Sequence, residues 1–213
     1  MKKIFVSLVA TAGAWVFSLW AAGRLPARVA VHFDLHGRPD GWGSPAVALW
    51  LLPAIMVADL ALFWAIPRID PRRASWDQHG SAYWAIVNSV TVFLLVIHVL
   101  VVGGGLGWPV RPGAFAPVGV GLLIAFVGGL LARVRPNFFV GIRTPWTLSS
   151  DENWRQTHRL GAPLLVLGGL ALAASGVAGG RWIFLGILAL GAVVVFLIAY
   201  TYWLWRQEQA AAR

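Results

Sequence analysis

Six stretches of this sequence are apolar for long enough to cross a lipid bilayer, which leaves the chain few architectures. A spanning helix needs roughly 20 consecutive, mostly apolar residues. Ile4–Ala22, Val47–Ile66, Ala82–Leu106, Ala114–Val134, Ala162–Ala178 and Trp182–Trp205 each fit that description. Only 12% of the 213 residues are charged, about half the ~25% of a soluble domain, so much of the surface must face lipid. The expected fold is all-α: a polytopic membrane helix bundle of six transmembrane helices. The last two are joined through only Gly179, Gly180 and Arg181 and pair tightly, antiparallel. The first apolar run outlasts the roughly 7–15 residues of a signal-peptide core and contains Trp15 and Trp20; it reads as a retained helix.

Charge sets the expected orientation. With the amino terminus inside, the cytoplasmic segments hold Lys2, Lys3, Arg68, Arg72, Arg73, Arg133, Arg135, Arg143, Arg155, Arg159, Arg206 and Arg213. The outside holds Arg24, Arg28, Arg38, Arg111 and Arg181. Twelve against five is a positive-inside bias that places both termini in the cytoplasm. The net charge of +9 then belongs to cytoplasmic loops and anionic lipid rather than to nucleic acid. Cysteine is absent, which excludes disulfides, thiol chemistry and Cys-ligated zinc.

Two connections are long: Gly23–Ala46, expected outside, and Arg135–Gly161, expected in the cytoplasm. Long loops on a rigid scaffold are where function concentrates. In the first, Val29–Phe33 alternates loosely enough for a short strand, and Gly37 to Ser44 carries turn chemistry around Pro39-Asp40-Gly41. Alternation puts His32, Asp34 and His36 on one side of an extended segment, a pattern compatible with zinc or copper. The competing reading has Asp40 capping a turn and His32 bonded to a loop carbonyl. In the second loop, Ser149 and Glu152 form an S-x-x-E capping box, and Asp151 and Glu152 sit at the positive end of the helix dipole. Trp154 and His158 share one helix face at i, i+4, and the helix runs on into the fifth span. Arg143 can offer its guanidinium fork to a carboxylate or a lipid phosphate. Alternatively the loop is a membrane-surface re-entry anchored by its Trp and Phe side chains.

The second loop, N-F-F-V-G-I-R-T-P-W-T-L-S-S-D-E-N-W-R-Q-T-H-R from Asn137 to Arg159, closely resembles the signature of the SdpI family of bacterial membrane proteins. The first, L-P-x-x-V-x-x-H-F-D-x-x-G-x-P-D-G-W-G-S, resembles the DUF1648 module that commonly precedes it. The resemblance implies a multi-pass protein of the bacterial cytoplasmic membrane, not an enzyme and without cofactors, giving immunity to a secreted toxic peptide. It also implies signalling, by capture of a transcriptional repressor at the membrane. The residues matching the pattern are Pro26, His32, Gly37, Pro39 and Asp40, then Asn137, Gly141, Arg143, Thr144, Pro145, Trp146, Trp154 and His158; His36 is incidental. The division that follows is 1–67, with two spans and loop 23–46, and 68–213, with four spans and loop 135–161.

Two polar residues fall inside expected spans: Asp59 and His98. A mid-bilayer charge costs on the order of 3 kcal/mol or more, so each should face the bundle interior, paired with the other or with Asn88. One reading is an ion path, as in a small transporter; the other is a neutral Asp59 bonded to a neighbour. Gly128-Gly129 and Gly168-Gly169 mark close helix packing. The chain also divides into three spans plus three, each half with its long loop after its first span, as in inverted-repeat transporters. A third reading, metal-assisted membrane enzyme through His32, lacks a nucleophile–base pair or an HExxH helix.

Overall fold

The computed structural model describes residues 3–34, 36–72, 76 and 80–211; Lys2, Arg73 and Arg213 of the charge count lie outside the described residues. Helix α1 (Phe5–Ala21) leads into a hairpin of β1 (Val29–Phe33) and β2 (Pro39–Gly43). Then follow α2 (Pro45–Ile69), α3 (Gly80–Gly105), α4 (Pro112–Leu131), the single-turn α5 (Pro145–Ser149), α6 (Asp151–Ala178) and α7 (Arg181–Ala211). Five of these, α2, α3, α4, α6 and α7, are long and apolar enough to cross a membrane. Helix α1 is equally apolar but has 17 residues, at the lower edge of the roughly 17–25 that suffice.

Burial is inverted relative to a soluble protein. The buried face of α1 is Ser7, Ala10, Thr11, Ala14, Ser18 and Ala21, small residues at helical spacing, whereas Phe5, Val9, Val16 and Leu19 point outward. Helix α7 likewise exposes Phe184, Leu188, Val195 and Phe196. Small and polar inside with large apolar outside is the arrangement lipid favours, because close backbone approach rather than water exclusion drives association.

Helices α4 and α6 show how close that approach is. A Cβ at Gly121 would lie 2.5 Å from the Ala173 nitrogen and the Gly169 oxygen, and one at Gly169 would lie 2.6 Å from the Ala125 nitrogen and the Gly121 oxygen. A Cβ at Gly128 would crowd Leu165 and Val166, so the two helices run antiparallel. Gly128 and Gly169 are thus contact points; Gly168 instead faces Leu190 and Val193 of α7.

Helix α2 contains Pro53 and Pro67. Each lacks the N–H that the carbonyl four residues back requires, which strands the oxygens of Leu49 and Phe63. Neighbouring helices supply the missing donors. The Ser18 hydroxyl of α1 donates to Leu49 O at 2.6 Å, and the Tyr83 hydroxyl of α3 donates to Phe63 O at 2.5 Å. In lipid no water can do this, so the prolines fix which helices must flank α2.

The strand expected at Val29–Phe33 is present, but the turn lies earlier than its residues indicated. Asp34 accepts from the backbone of His36 and Arg38, and Gly37 takes φ +76°. Pro39-Asp40-Gly41 instead forms β2, with Gly41 opposite His32, whose Cβ would lie 2.7 Å from a Gly41 Cβ. The tip then seats on α4, where a Cβ at Gly113 would lie 2.5 Å from Gly37 Cα. The two long loops differ in form, one a hairpin and the other a turn plus a short helix.

Candidate functional site

The hairpin sits at the amino end of α4, and the segment 132–150 joins the carboxyl end of α4 to α6. The 20-residue α4 separates them by about 30 Å at 1.5 Å per residue. The sequence-derived site residues therefore form two groups at opposite ends of the bundle.

The second group is built around a buried polar knot. Asn137 is fully buried, and its Oδ1 accepts from Phe139 N at 2.8 Å and Val140 N at 2.6 Å. Its Nδ2 donates to Arg135 O at 2.9 Å and Val140 O at 2.8 Å. One side chain thus supplies the four hydrogen bonds that a turn of this shape cannot make for itself. Trp154 Nε1 donates to Val134 O at 2.9 Å, and its ring stacks on His158 with centroids 4.1 Å apart. The Ile142 N–H donates to His158 Nε2 at 3.0 Å, so Nδ1 carries the proton and donates to Trp154 O at 2.8 Å. Gly141, at φ +129°, passes over this stack, where a Cβ would lie 2.5 Å from His158 Nε2. Only glycine satisfies both the dihedral and the space.

Thr144 caps α5 from the β region and Pro145 takes its first position, an arrangement that Thr-Pro favours. Thr144 and Thr147 cap each other reciprocally, and Thr144 Oγ1 donates to Thr201 Oγ1 of α7 at 3.1 Å. The capping box expected at Ser149 and Glu152 is displaced. Ser150 caps α6 by accepting from Asn153 N at 3.1 Å, Ser149 donates to Trp146 O, and Glu152 bonds Arg155 and Gln156. The reason is backbone shape: α5 occupies Ser149, so Ser150, at φ −140° and ψ 123°, is the residue in extended geometry. Trp146 packs its ring on Tyr202 at 5.1 Å. Arg143 is exposed and donates through Nη1 to Phe138 O at 2.7 Å.

Sequence reading missed several partners. Asp70, at the end of α2 and almost fully buried, accepts from Phe138 N at 3.1 Å and from Arg72 N at 2.7 Å. Arg72 donates to Asp151 Oδ1 at 2.5 Å and to Leu148 O at 3.1 Å. These two residues clamp the α2 end onto the second loop across a sequence separation no local pattern reveals. Asn153 and Thr157 extend the knot inward, with Asn153 Nδ2 donating to Thr201 O. Their signal was visible: they lie on the apolar face of α6 with Trp154 and His158, where polar residues must find partners.

At the other end, His32 Nδ1 and Asp40 Oδ1 are 2.5 Å apart on the exposed face of the hairpin. Asp34 turns inward to its own backbone, and the Arg38 N–H above all holds its carboxyl below the usual carboxylate range. Among the described residues no cluster of three or more His, Asp or Glu side chains is placed to hold a metal. Pro26 and Pro39 line a cavity of about 270 Å³ between the hairpin and the end of α3. His98 is buried and lies 2.9 Å from Ser18 Oγ. Because Ser18 gives its proton to Leu49 O, His98 Nε2 is the donor. Asn88 bonds Ser7 and Lys3 O, and among the described residues Asp59, half-buried, shares no hydrogen bond with either.

Residues 133–201, which contain the whole knot from Val134 to Thr201, match the SdpI/YfhL protein family. Residues 9–57, spanning α1, the hairpin and the start of α2, match a domain of unknown function, DUF1648. Over 206 residues the chain is 21% identical to Immunity protein SdpI of Bacillus subtilis (strain 168), covering 95% of this chain and 97% of that one. No solved structure matches. The residues that match SdpI/YfhL thus cover the second loop, α6 and α7 as far as Thr201, and those that match DUF1648 cover the hairpin end.

Proposed function

We propose that this protein is a multi-pass immunity protein of a bacterial cytoplasmic membrane, protecting the cell against a secreted antimicrobial peptide. The observation that carries the reading is a likeness to Immunity protein SdpI extending over almost the whole of both chains. All six apolar helices span, both termini face the cytoplasm, and the division falls at 1–67 and 68–213. The hairpin, with Pro26, His32, Gly37, Pro39 and Asp40, faces outward and meets the peptide. The Asn137–His158 loop faces the cytoplasm, where the exposed Arg143 and Pro145 contact a regulator such as a transcriptional repressor. The buried members, Asn137, Gly141, Thr144, Trp154 and His158, hold that surface in shape. Expressed in a peptide-sensitive strain, the protein should raise survival, and His32→Ala should abolish the gain while leaving membrane levels unchanged. Arg143→Ala should remove signalling. Survival equal to that of cells lacking the protein would overturn the immunity reading.

A further inference from the structure

Helix α2 holds one acidic group that the immunity reading does not use. Asp59 lies well inside Pro45–Ile69, about 15 Å from the nearer end at 1.5 Å per residue. Its place on the helix is a border. Met56 packs with Ala10 and Ala14 of α1, and Phe63 packs against Tyr83 and Val87 of α3. Ile55 and Leu62 are exposed, and Asp59 is half-buried between the two rows. The polar side chains around it are otherwise engaged. Ser7 donates to Asn88 at 2.6 Å, Thr91 to Val87 O at 2.9 Å, and Ser18 and Tyr83 to the carbonyls that the prolines release. Among the described residues Asp59 has no hydrogen bond and no ion pair. The buried Thr11 Oγ1 has no hydrogen bond either. Register brings it within about one helical turn of the same depth, since α1 runs antiparallel to α2 with Ser18 at Leu49 and Ala10 and Ala14 at Met56.

No charge stands ready to neutralise a carboxylate there. Helix α1 has no titratable side chain, and Lys3 ahead of it makes no ion pair with Asp59. On α3 the titratable groups are Tyr83, bonded to Phe63 O, and His98, which bonds Ser18 at the level of Leu49, about 15 Å along α2. On α2 itself Arg68 lies over the Trp64 ring at 3.6 Å and donates to Trp64 O, and Asp70 accepts from Phe138 and Arg72. The hairpin's His32 and Asp40 bond one another about 20 Å away, beyond the start of α2. An ionised Asp59 would stand against lipid with neither water nor a counter-charge, the costliest state for such a group. A proton removes that cost without needing a coordination shell. We propose that Asp59 is an intramembrane proton-binding site, a neutral carboxylic acid open to the bilayer. It lies on neither loop, so it stands whether or not the protein confers immunity.

A hydrophobic carbodiimide tests this. Dicyclohexylcarbodiimide partitions into lipid and adds to a protonated carboxyl, giving an O-acylisourea that rearranges to a stable N-acylurea with no leaving group. The full chain in phosphatidylcholine vesicles is treated at neutral pH, and the adduct is mapped by peptide mass spectrometry. Asp59 should carry it. A free Asp carboxyl, at ~3.9, is protonated in about one molecule in 10³ at that pH, so the hairpin's Asp34 should react slower by about that factor or more. Asp59→Asn should lose the adduct and Asp59→Glu should keep it; the mapping on the unaltered chain decides the matter even if a variant does not fold. Exchanging choline chloride for sodium chloride should leave the rate unchanged. Protection by sodium would assign Asp59 to a metal cation and overturn the proton site. An Asp59 left unlabelled in the intact protein, or labelled no faster than Asp34, would overturn it equally.

Discussion

Gly141 and Asn137 show how one residue's chemistry dictates a loop. A methyl at Gly141 meets His158 Nε2 at 2.5 Å on a backbone at φ +129°, so Gly141→Ala combines overpacking with strain. A loss of about 2 kcal/mol or more is expected, read as a lowered thermal midpoint. Arg143→Ala, two residues on but exposed, should leave the midpoint almost unchanged; equal losses would contradict the packing described. Asp34 offers a prediction in pH. The Arg38 and His36 amides stabilise its ionised form, so the contribution is complete above the ordinary Asp value and disappears as pH falls through a lower one. The Arg38 amide proton should therefore titrate in NMR spectra with a midpoint below the ~3.9 of free Asp. A midpoint at or above that value would remove the hydrogen bond from the account.

At the scale of elements, α2 depends on its neighbours for two backbone bonds. Tyr83→Phe leaves Phe63 O without a donor and should cost about 1–2 kcal/mol. Pro67→Ala restores the helix's own N–H to that oxygen, so in its background the same change should cost little. A coupling of about 1 kcal/mol in the double-mutant cycle is expected; strict additivity would mean that Tyr83 contributes only packing. Helix α6 makes the complementary point. Its Trp154/His158 face is readable from i, i+4 spacing alone, because helix geometry makes those side chains neighbours whatever surrounds them. The capping residue is not, because Ser149 and Ser150 are chemically equivalent and only the presence of α5 decides between them.

For the whole molecule, the spacing of the two loops is the testable quantity. The chain has no cysteine, so single cysteines can be placed freely. A cysteine at His36 in the hairpin should react with an impermeant maleimide added outside intact cells, and one at Ser149 only after the membrane is opened. Both reacting from one side would contradict an arrangement in which α4 stands between them.

Much of this was legible in the chain itself. The apolar runs demanded a helical membrane bundle, since their length and lack of charge leave no other way to bury them. The Asn137–Arg159 residues carried the family pattern, and the alternation of Val29–Phe33 carried the first strand. The tertiary structure alone decided the partners. Asp70 and Arg72 meet Phe138 and Asp151 only because α2 ends beside the second loop. Ser18 and Tyr83 became backbone donors only because they pack against proline-released carbonyls, and His98 was drawn to Ser18 rather than to Asp59. Periodicity and capping are local, so a sequence displays them; which polar groups satisfy one another depends on which helices pack side by side.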